Sequence, residues 1–286
     1  MMKLAKPSYS FCDSISECII GVTGNAGLNA KLTNNKSMFP PLGTDYIEMS
    51  DVGDLYLIPS VSFSSADPEV VGNIKKSELI KVYDQYFVPE KKPARKIYDA
   101  LLNSAKGDCP FCGGIGTPRN LDHFLPKAHF PQFSVFPQNL VPSCRDCNMD
   151  GKADDYATCA ADQLIQPYSD NSRFFDEQWV FAEYIDSCEG EPGEFNYFVR
   201  APMGWSNTDI KRIEKHFDAF DIGLRYAKQA GRLLKTVLSQ ISRMRHRGVP
   251  DDEIIADILE PGIEESPFVN HWQTGMYQGL IDYMER

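Results

Sequence analysis

The chain has 286 residues, 42% of them hydrophobic, 24% charged and 12% aromatic, with a formal net charge of −11. That composition excludes a wholly disordered, collagenous or coiled-coil chain, and the length allows one large domain or a small module inside a larger scaffold. No apolar run approaches the roughly 18 residues needed to cross a bilayer. The opening Met1–Val22 stretch lacks the apolar region of a secretory signal. The cytoplasm is therefore the expected compartment, with no membrane partner.

A net negative chain argues against a general nucleic-acid binder, but the charge lies in blocks. Residues 211–247 carry ten Lys/Arg against three Asp/Glu, whereas residues 153–210 and 251–286 have balances of −10 and −8. The sum therefore does not decide the function. Cysteines stand at 12, 18, 109, 112, 144, 147, 159 and 188. Without an export signal they are expected to be reduced thiols.

In chain order, residues 1–70 are rich in Gly, Asn, Ser and Pro and show little periodicity. Asp54–Pro59 reads as a short strand stopped by proline. Gly21–Gly27 resembles a phosphate loop only superficially, since no Lys-Ser/Thr follows and no strong strand precedes it. Ser77 reads as the cap of a helix with an apolar stripe to Phe87, stopped by Pro89. Pro93 opens a second helix with Ile97, Tyr98, Leu101 and Leu102 on its apolar face. Beyond the cysteine-rich segment, Gln178–Ile185 and Phe195–Val199 read as a hairpin around a Gly/Glu-rich turn. Thr208 reads as the cap of a helix to about Phe220. A longer helix is expected from about Ile222 to His246, ending at Gly248. Residues 251–260 and 270–285 read as two acidic helices.

Residues 107–152 differ in kind. Cys109-Pro-Phe-Cys112 and Cys144-Arg-Asp-Cys147 are two C-x-x-C pairs separated by 31 residues. Each pair supplies two thiolate corners from one tight turn, and together they complete a tetrahedral zinc site. Gly113 and Gly114 suit the turn that lets amides face the sulfurs. The alternative is a pair of redox dithiols, although such motifs normally come singly. The intervening segment has few regularly spaced apolar residues, so a metal clip there is physically sensible.

Inside this frame lie Leu121-Asp-His-Phe-Leu-Pro-Lys127, Phe136-Pro-Gln-Asn-Leu-Val-Pro-Ser-Cys144 and Cys147-Asn-Met-Asp-Gly-Lys152. Asp122 offers a hard oxygen ligand for Mg²⁺ or Mn²⁺. His123 offers a base near pH 7, and Asn148 an amide oxygen fixed by the second pair. Adjacent residues of an extended strand face opposite sides, so Asp122 and His123 need a twisted or terminal position to serve one site. The ordered set, over about 45 residues, resembles the HNH nucleases of the ββα-metal (treble-clef) group.

That resemblance implies a phosphodiester hydrolase. His123 would take the proton of the attacking water. Asp122 and Asn148 would hold one catalytic divalent cation, and Asn139 would steady the loop that orients His123. The expected products are a 5′-phosphate and a 3′-hydroxyl. The last ligand is often His in the family and is Asn148 in this chain, which favours a harder ion. Lys152 could touch phosphate or be a solvated surface lysine. His123 alone could be a packing histidine and Asn139 a cap; His129 and His216 read more simply as structural. The flanks, Ser77–Ala105 and Gln166–Asp170, are similar to those of a group of bacterial HNH proteins, some of which work beside an ATPase in defence against foreign DNA. In that group a His often precedes the Pro-Tyr, where this chain has Gln166.

Arg225, Lys228, Arg232 and Lys235 recur at helical steps and share one face. They could track a phosphate backbone or be neutralised by the acidic helices that follow. The expected fold is mainly α with a small α+β insert: a zinc-clipped ββα-metal module embedded in a helical scaffold with one additional β-hairpin. Residues 1–105 form the N-terminal region, 106–160 the nuclease module, and 161–286 the hairpin and C-terminal helices. The expected activity is metal-dependent cleavage of DNA. The rival readings are a catalytically silent zinc-stabilised nucleic-acid-binding or adaptor module, and an RNA or single-strand nuclease.

Overall fold

The computed structural model describes residues 1–61, 67–187 and 193–286. The chain is mainly helical, with three two-stranded antiparallel sheets among the described residues. It divides into two compact units, Lys3–Asn171 and Met1–Met2 with Ser172–Arg286.

The first unit opens with three helices where sequence reading found little order: α1 (Phe11–Gly21), α2 (Ala26–Asn34) and α3 (Phe39–Val52). Their starts are set by local chemistry. Ser10 Oγ accepts the Asp13 N–H while Asp13 accepts the Ser10 N–H, a reciprocal cap. Asn25 caps α2 through the Leu28 N–H, so the Gly21–Gly27 stretch is the junction of two helices. Asp54–Pro59 is not a strand. Leu55–Leu57 forms a 3₁₀ turn, with Leu57 N–H donating to the Asp54 carbonyl and Ile58 N–H to that of Leu55. Leu55 is buried and Leu57 exposed, so these bonds are made locally rather than across a sheet.

A small hairpin, β1 (Glu69–Val71) and β2 (Ile74–Lys75), leads into α4 (Lys76–Val82). The cap is Lys75 rather than Ser77, whose N–H and hydroxyl both bond to the Asp67 carboxylate. The chain continues as one π-helical turn over Tyr83–Phe87, with Val88 N–H on the Tyr83 carbonyl. Helix α5 (Arg95–Ser104) buries Ile97, Tyr98 and Leu101, and Leu102 is half-buried. Strands β3 (Asn120–His123) and β4 (Leu140–Ser143) pair antiparallel, His123 opposite Leu140 and Asp122 opposite Val141.

The segment between the cysteine pairs is not poor in core. Leu121, Phe124, Leu125, Phe130, Phe133, Val135, Phe136, Leu140 and Val141 are all buried. Phe136 packs on Phe11 and Tyr46 at ring-centroid distances of 4.7 and 5.1 Å. Its apolar residues escape periodicity because 3₁₀ turns, not long strands or helices, place them.

The second unit contains α6 (Arg173–Asp176), the hairpin β5 (Val180–Ile185) and β6 (Glu194–Val199), then α7 (Asn207–Ala219) and α8 (Ile222–His246). The hairpin's turn and Cys188 lie outside the described residues. Ser206, not Thr208, caps α7 by accepting the Asp209 N–H. Helix α8 buries Tyr226, Ala230, Leu234, Val237 and Ile241 at steps of three and four. The first acidic helix is broken into α9 (Asp251–Ile254), a π-helical turn Ile255–Leu259 and α10 (Glu260–Glu264). Helix α11 (Trp272–Met284) lies against β5. Among the described residues, no helix is long and apolar enough to cross a membrane.

Candidate functional site

The sulfurs of Cys109, Cys112, Cys144 and Cys147 are buried and lie within 4.8 Å of one another, with Cys112 and Cys144 at 4.0 Å. Tetrahedral coordination with ~2.3 Å metal–sulfur bonds requires sulfurs roughly 3.8 Å apart, so the four are positioned to hold one metal ion. Two of the sulfurs accept backbone N–H groups. Gly116 N–H points at Cys112 Sγ and Cys144 N–H at Cys109 Sγ, both at 3.4 Å. Gly113 and Gly114 take φ of 60° and 85°, conformations that L side chains rarely adopt, and Gly114 N–H closes the knuckle on the Cys109 carbonyl. Hydrogen bonds among the four sulfurs pull the Cys109 and Cys144 thiols below their ordinary range and push those of Cys112 and Cys147 above it, so the four titrate as one cluster. The donor set is consistent with structural zinc. None of the seven described cysteines is in a disulfide; Cys12 is half-buried, Cys18 buried and Cys159 exposed.

His123 ends β3 and is 8% exposed. Its Nε2 lies 2.9 Å from the Ser134 carbonyl, which fixes a proton on Nε2 and leaves Nδ1 with the lone pair. Ser134 is itself anchored by its hydroxyl on the Leu79 carbonyl at 3.0 Å. The Tyr83 ring meets the imidazole edge-on at 4.4 Å. Burial drives the His123 pKa down to about 3, so the ring is neutral at pH 7.

Asn139 precedes β4 and is fully buried. Its Oδ1 accepts the Leu125 N–H (2.7 Å) and the Tyr46 hydroxyl (3.1 Å). Its Nδ2 donates to the Leu125 and Phe133 carbonyls, and its own carbonyl accepts the Phe124 N–H. One side chain thus ties down the loop that leaves His123. The Gln166–Asp170 turn supports it from behind: Gln166 Nε2 donates to the Gln138 carbonyl and Tyr168 Oη to that of Leu140.

Asp122 and His123 are the last two residues of β3, and both line a cleft of about 510 Å³ with Asn148. Asn148 sits in a π-helical turn over Asp146–Lys152, directly after the second cysteine pair. Asp122 is 5% exposed, and its Oδ2 has no hydrogen-bond partner. Burial pushes its pKa up to about 6, against the pull of the Lys152 ammonium 3.5 Å from Oδ2. Lys152 is neither solvated nor free for phosphate: it is 2% exposed and donates to the His123 carbonyl at 2.7 Å.

A buried carboxylate that lines the same cleft as a half-buried amide suits a hard divalent cation with positions left for other ligands. The other lining residues include Tyr83, Asp84, Lys127, Met149 and Asp154. Sequence reading did not join them to the site because they come from two π-helical turns and two loops, which only the fold brings together. Lys127 pairs with Asp84 and lies over the Tyr83 ring at 4.7 Å.

Of the remaining candidates, all but His129 belong to the second unit. Lys228, Arg232 and Lys235 of α8 are exposed and Arg225 is half-buried, donating to the Phe220 carbonyl. Among the described residues Lys228, Arg232 and Lys235 make no ion pair, and the acidic segment meets α8 through Arg245–Asp251 at 2.7 Å. His216 is buried against Phe220, and His129 packs on Tyr156.

No family model and no solved structure matches the chain. It is similar to protein ea31 of Escherichia phage lambda, with 36% identity over 292 residues that cover 99% of this chain and 97% of that protein. The chain belongs to the family of that phage protein.

Proposed function

We propose that the chain is a metal-dependent HNH-type endonuclease that hydrolyses DNA phosphodiester bonds. The observation that supports this best is the setting of His123, neutral, with Nε2 held by a carbonyl, in the same cleft as Asp122 and Asn148 and beside a four-cysteine metal frame. His123 Nδ1 takes the proton of the attacking water. Asn139 holds the loop that fixes the imidazole, and Asp122 and Asn148 are the ligands of the catalytic Mg²⁺ or Mn²⁺. That cation, when bound, stabilises charge on the phosphate and on the leaving 3′-oxygen. Structural zinc in the cysteine frame keeps Asn148 in place. The exposed basic face of α8 supplies sequence-independent attraction to DNA. The flanking similarity adds an ATPase or other defence protein as a proposed partner.

The test is cleavage of supercoiled plasmid by wild type and His123→Ala, with Mg²⁺ or Mn²⁺ and with EDTA. Wild type is expected to convert the plasmid, and EDTA to stop it. The variant is expected to be slower by on the order of 10²–10⁴-fold, the usual contribution of a positioned base. Equal activity in both proteins sinks the assignment of His123. Binding without cleavage of either DNA or RNA favours the silent adaptor instead.

A further inference from the structure

We propose that Lys152 is a positioning residue of the candidate centre: its ammonium joins the strand that carries Asp122 and His123 to the helical turn that carries Asn148. This role presupposes the nuclease centre proposed above. A buried ammonium is costly unless it is paired and hydrogen-bonded, so its presence there calls for a partner. Lys152 Nζ has two, the His123 carbonyl at 2.7 Å and Asp122 Oδ2 at 3.5 Å. Both contacts fall on the end of β3, at the two residues that supply a ligand and the base.

Lys152 itself stands four residues after Asn148 in one π-helical turn, which Ala153 N–H closes on the Asn148 carbonyl at 2.9 Å. The lysine therefore spans the two ligands of the ion and sets their separation. It also sets the carboxylate's orientation. Oδ2 is buried and faces the ammonium at 3.5 Å, while the residue as a whole lines the cleft. Lys152 is not among the residues lining that cleft, so it acts through Asp122 and His123 rather than on the phosphate. Partners that orient a metal ligand in this way are typically worth about 10–100-fold in metal affinity.

The experiment is titration of the full-length, zinc-loaded protein with Mn²⁺, followed by the loss of the free-ion electron paramagnetic resonance signal, without DNA. Zinc content and plasmid cleavage are measured on the same samples. Wild type is expected to bind one Mn²⁺ that Asp122→Ala loses. Lys152→Met is expected to keep its zinc and bind Mn²⁺ about tenfold or more weakly, and Lys152→Arg to recover most of the affinity. Affinity in Lys152→Met within about twofold of wild type, or tighter, overturns the role; tighter binding would mean that the ammonium competes with the ion. Should Lys152→Met lose zinc, Lys152→Gln is read by the same criterion. Absence of any Asp122-dependent Mn²⁺ binding in wild type overturns the centre itself and this role with it.

Discussion

Strands β3 and β4 are four residues long and lie between two cysteine knuckles, whereas β5 and β6 are six residues long and lie under helices α8 and α11. The two hairpins are held by different means. Around β3 and β4 the chain turns through 3₁₀ and π-helical segments, and single polar side chains such as Asn139 close the loops. Around β5 and β6 the alternating pattern of the strand and the three-four pattern of the helices do the same work through apolar contact. The end of a short strand, where irregular backbone takes over, can hold adjacent residues such as Asp122 and His123 in one cleft, which the middle of a long regular strand cannot. It does so at the cost of depending on a few ligands and hydrogen bonds, and that dependence can be measured.

The largest effect is expected at the cysteines. Structural zinc in small folds contributes on the order of 10 kcal/mol of binding free energy at neutral pH. Cys144→Ser leaves three sulfurs and an unfilled corner. The expected result is loss of stoichiometric zinc and loss of cooperative unfolding for residues 3–171, read by metal analysis and by hydrogen exchange at β3 and β4. Full exchange protection in the zinc-free variant would mean that the apolar residues between the knuckles suffice.

Next comes Asn139→Ala. It leaves the Leu125 N–H, the Tyr46 hydroxyl and two carbonyls without their partner in a fully buried place. Unsatisfied buried groups cost about 1–3 kcal/mol each, and partial relaxation leaves an expected loss of about 3 kcal/mol. Denaturant melts and the exchange rate of the Leu125 amide check it. In the second unit the matching probe is Gly279→Ala. A Cβ at Gly279 would stand 2.8 Å from the Ala182 carbonyl oxygen, backbone that cannot swing aside. Separation of α11 from β5 is expected to cost about 2 kcal/mol. If Gly279→Ala proves neutral, the packing of this unit is looser than its short contacts imply.

What was legible follows the same division. The second unit could be read as elements: the periodic apolar residues of α8 placed its ends at Ile222 and His246, and alternation placed the hairpin. The first unit could be read as chemistry, since the paired cysteines announce a four-sulfur cluster by spacing alone. Its elements could not be read. Helices α1 and α3 place small or polar residues among the apolar ones of their buried faces, Ser14 and Gly21 in the first, Gly43 and Ser50 in the second, which blurs the apolar stripe, and Asp54–Leu57 satisfies its backbone by short-range bonds that leave no strand alternation. Lys152 was misplaced because charge favours the surface in general. Only the fold shows that the end of β3 offers it a carbonyl and a carboxylate. Tyr83, Ser134 and Tyr46 were missed for a related reason: their roles depend on contacts between residues far apart in the chain or on loop geometry, neither of which leaves a periodic trace.

Acidity separates the two groups at the cleft. Asp122 has its pKa pushed up to about 6 and His123 down to about 3. A protonated carboxylate does not ligate, so Mn²⁺ affinity is expected to fall as pH drops through about 6, by about tenfold per pH unit below it, equivalent to about 1.4 kcal/mol. His123 stays neutral throughout that range and adds nothing to this limb. For folding the signs oppose. Buried neutral His123 makes stability fall as pH drops from 6.5 towards 3, while Asp122 makes it rise as pH drops from about 6 towards 3.8. An acid limb of cleavage centred near 6.5, with Mn²⁺ affinity flat across it, would show that His123 titrates as an ordinary histidine.

The smallest effect on stability is expected at α8, and it bears most directly on the proposed attraction of an acidic chain to DNA. Lys228, Arg232 and Lys235 are exposed and make no ion pair among the described residues, so replacing all three with Gln should alter folding by less than about 0.5 kcal/mol each. The proposed effect on DNA binding has a different signature. Each phosphate that a removed cation had neutralised reduces the slope of log affinity against log salt by about 0.9 for duplex DNA. If the three side chains meet three phosphates, the triple variant is expected to bind more weakly at low salt, with a slope shallower by about 2.7. An unchanged slope would remove α8 from the proposed DNA path. A changed slope with unchanged cleavage per bound complex would separate the two halves of the function along the two units: attraction in the second, chemistry in the first.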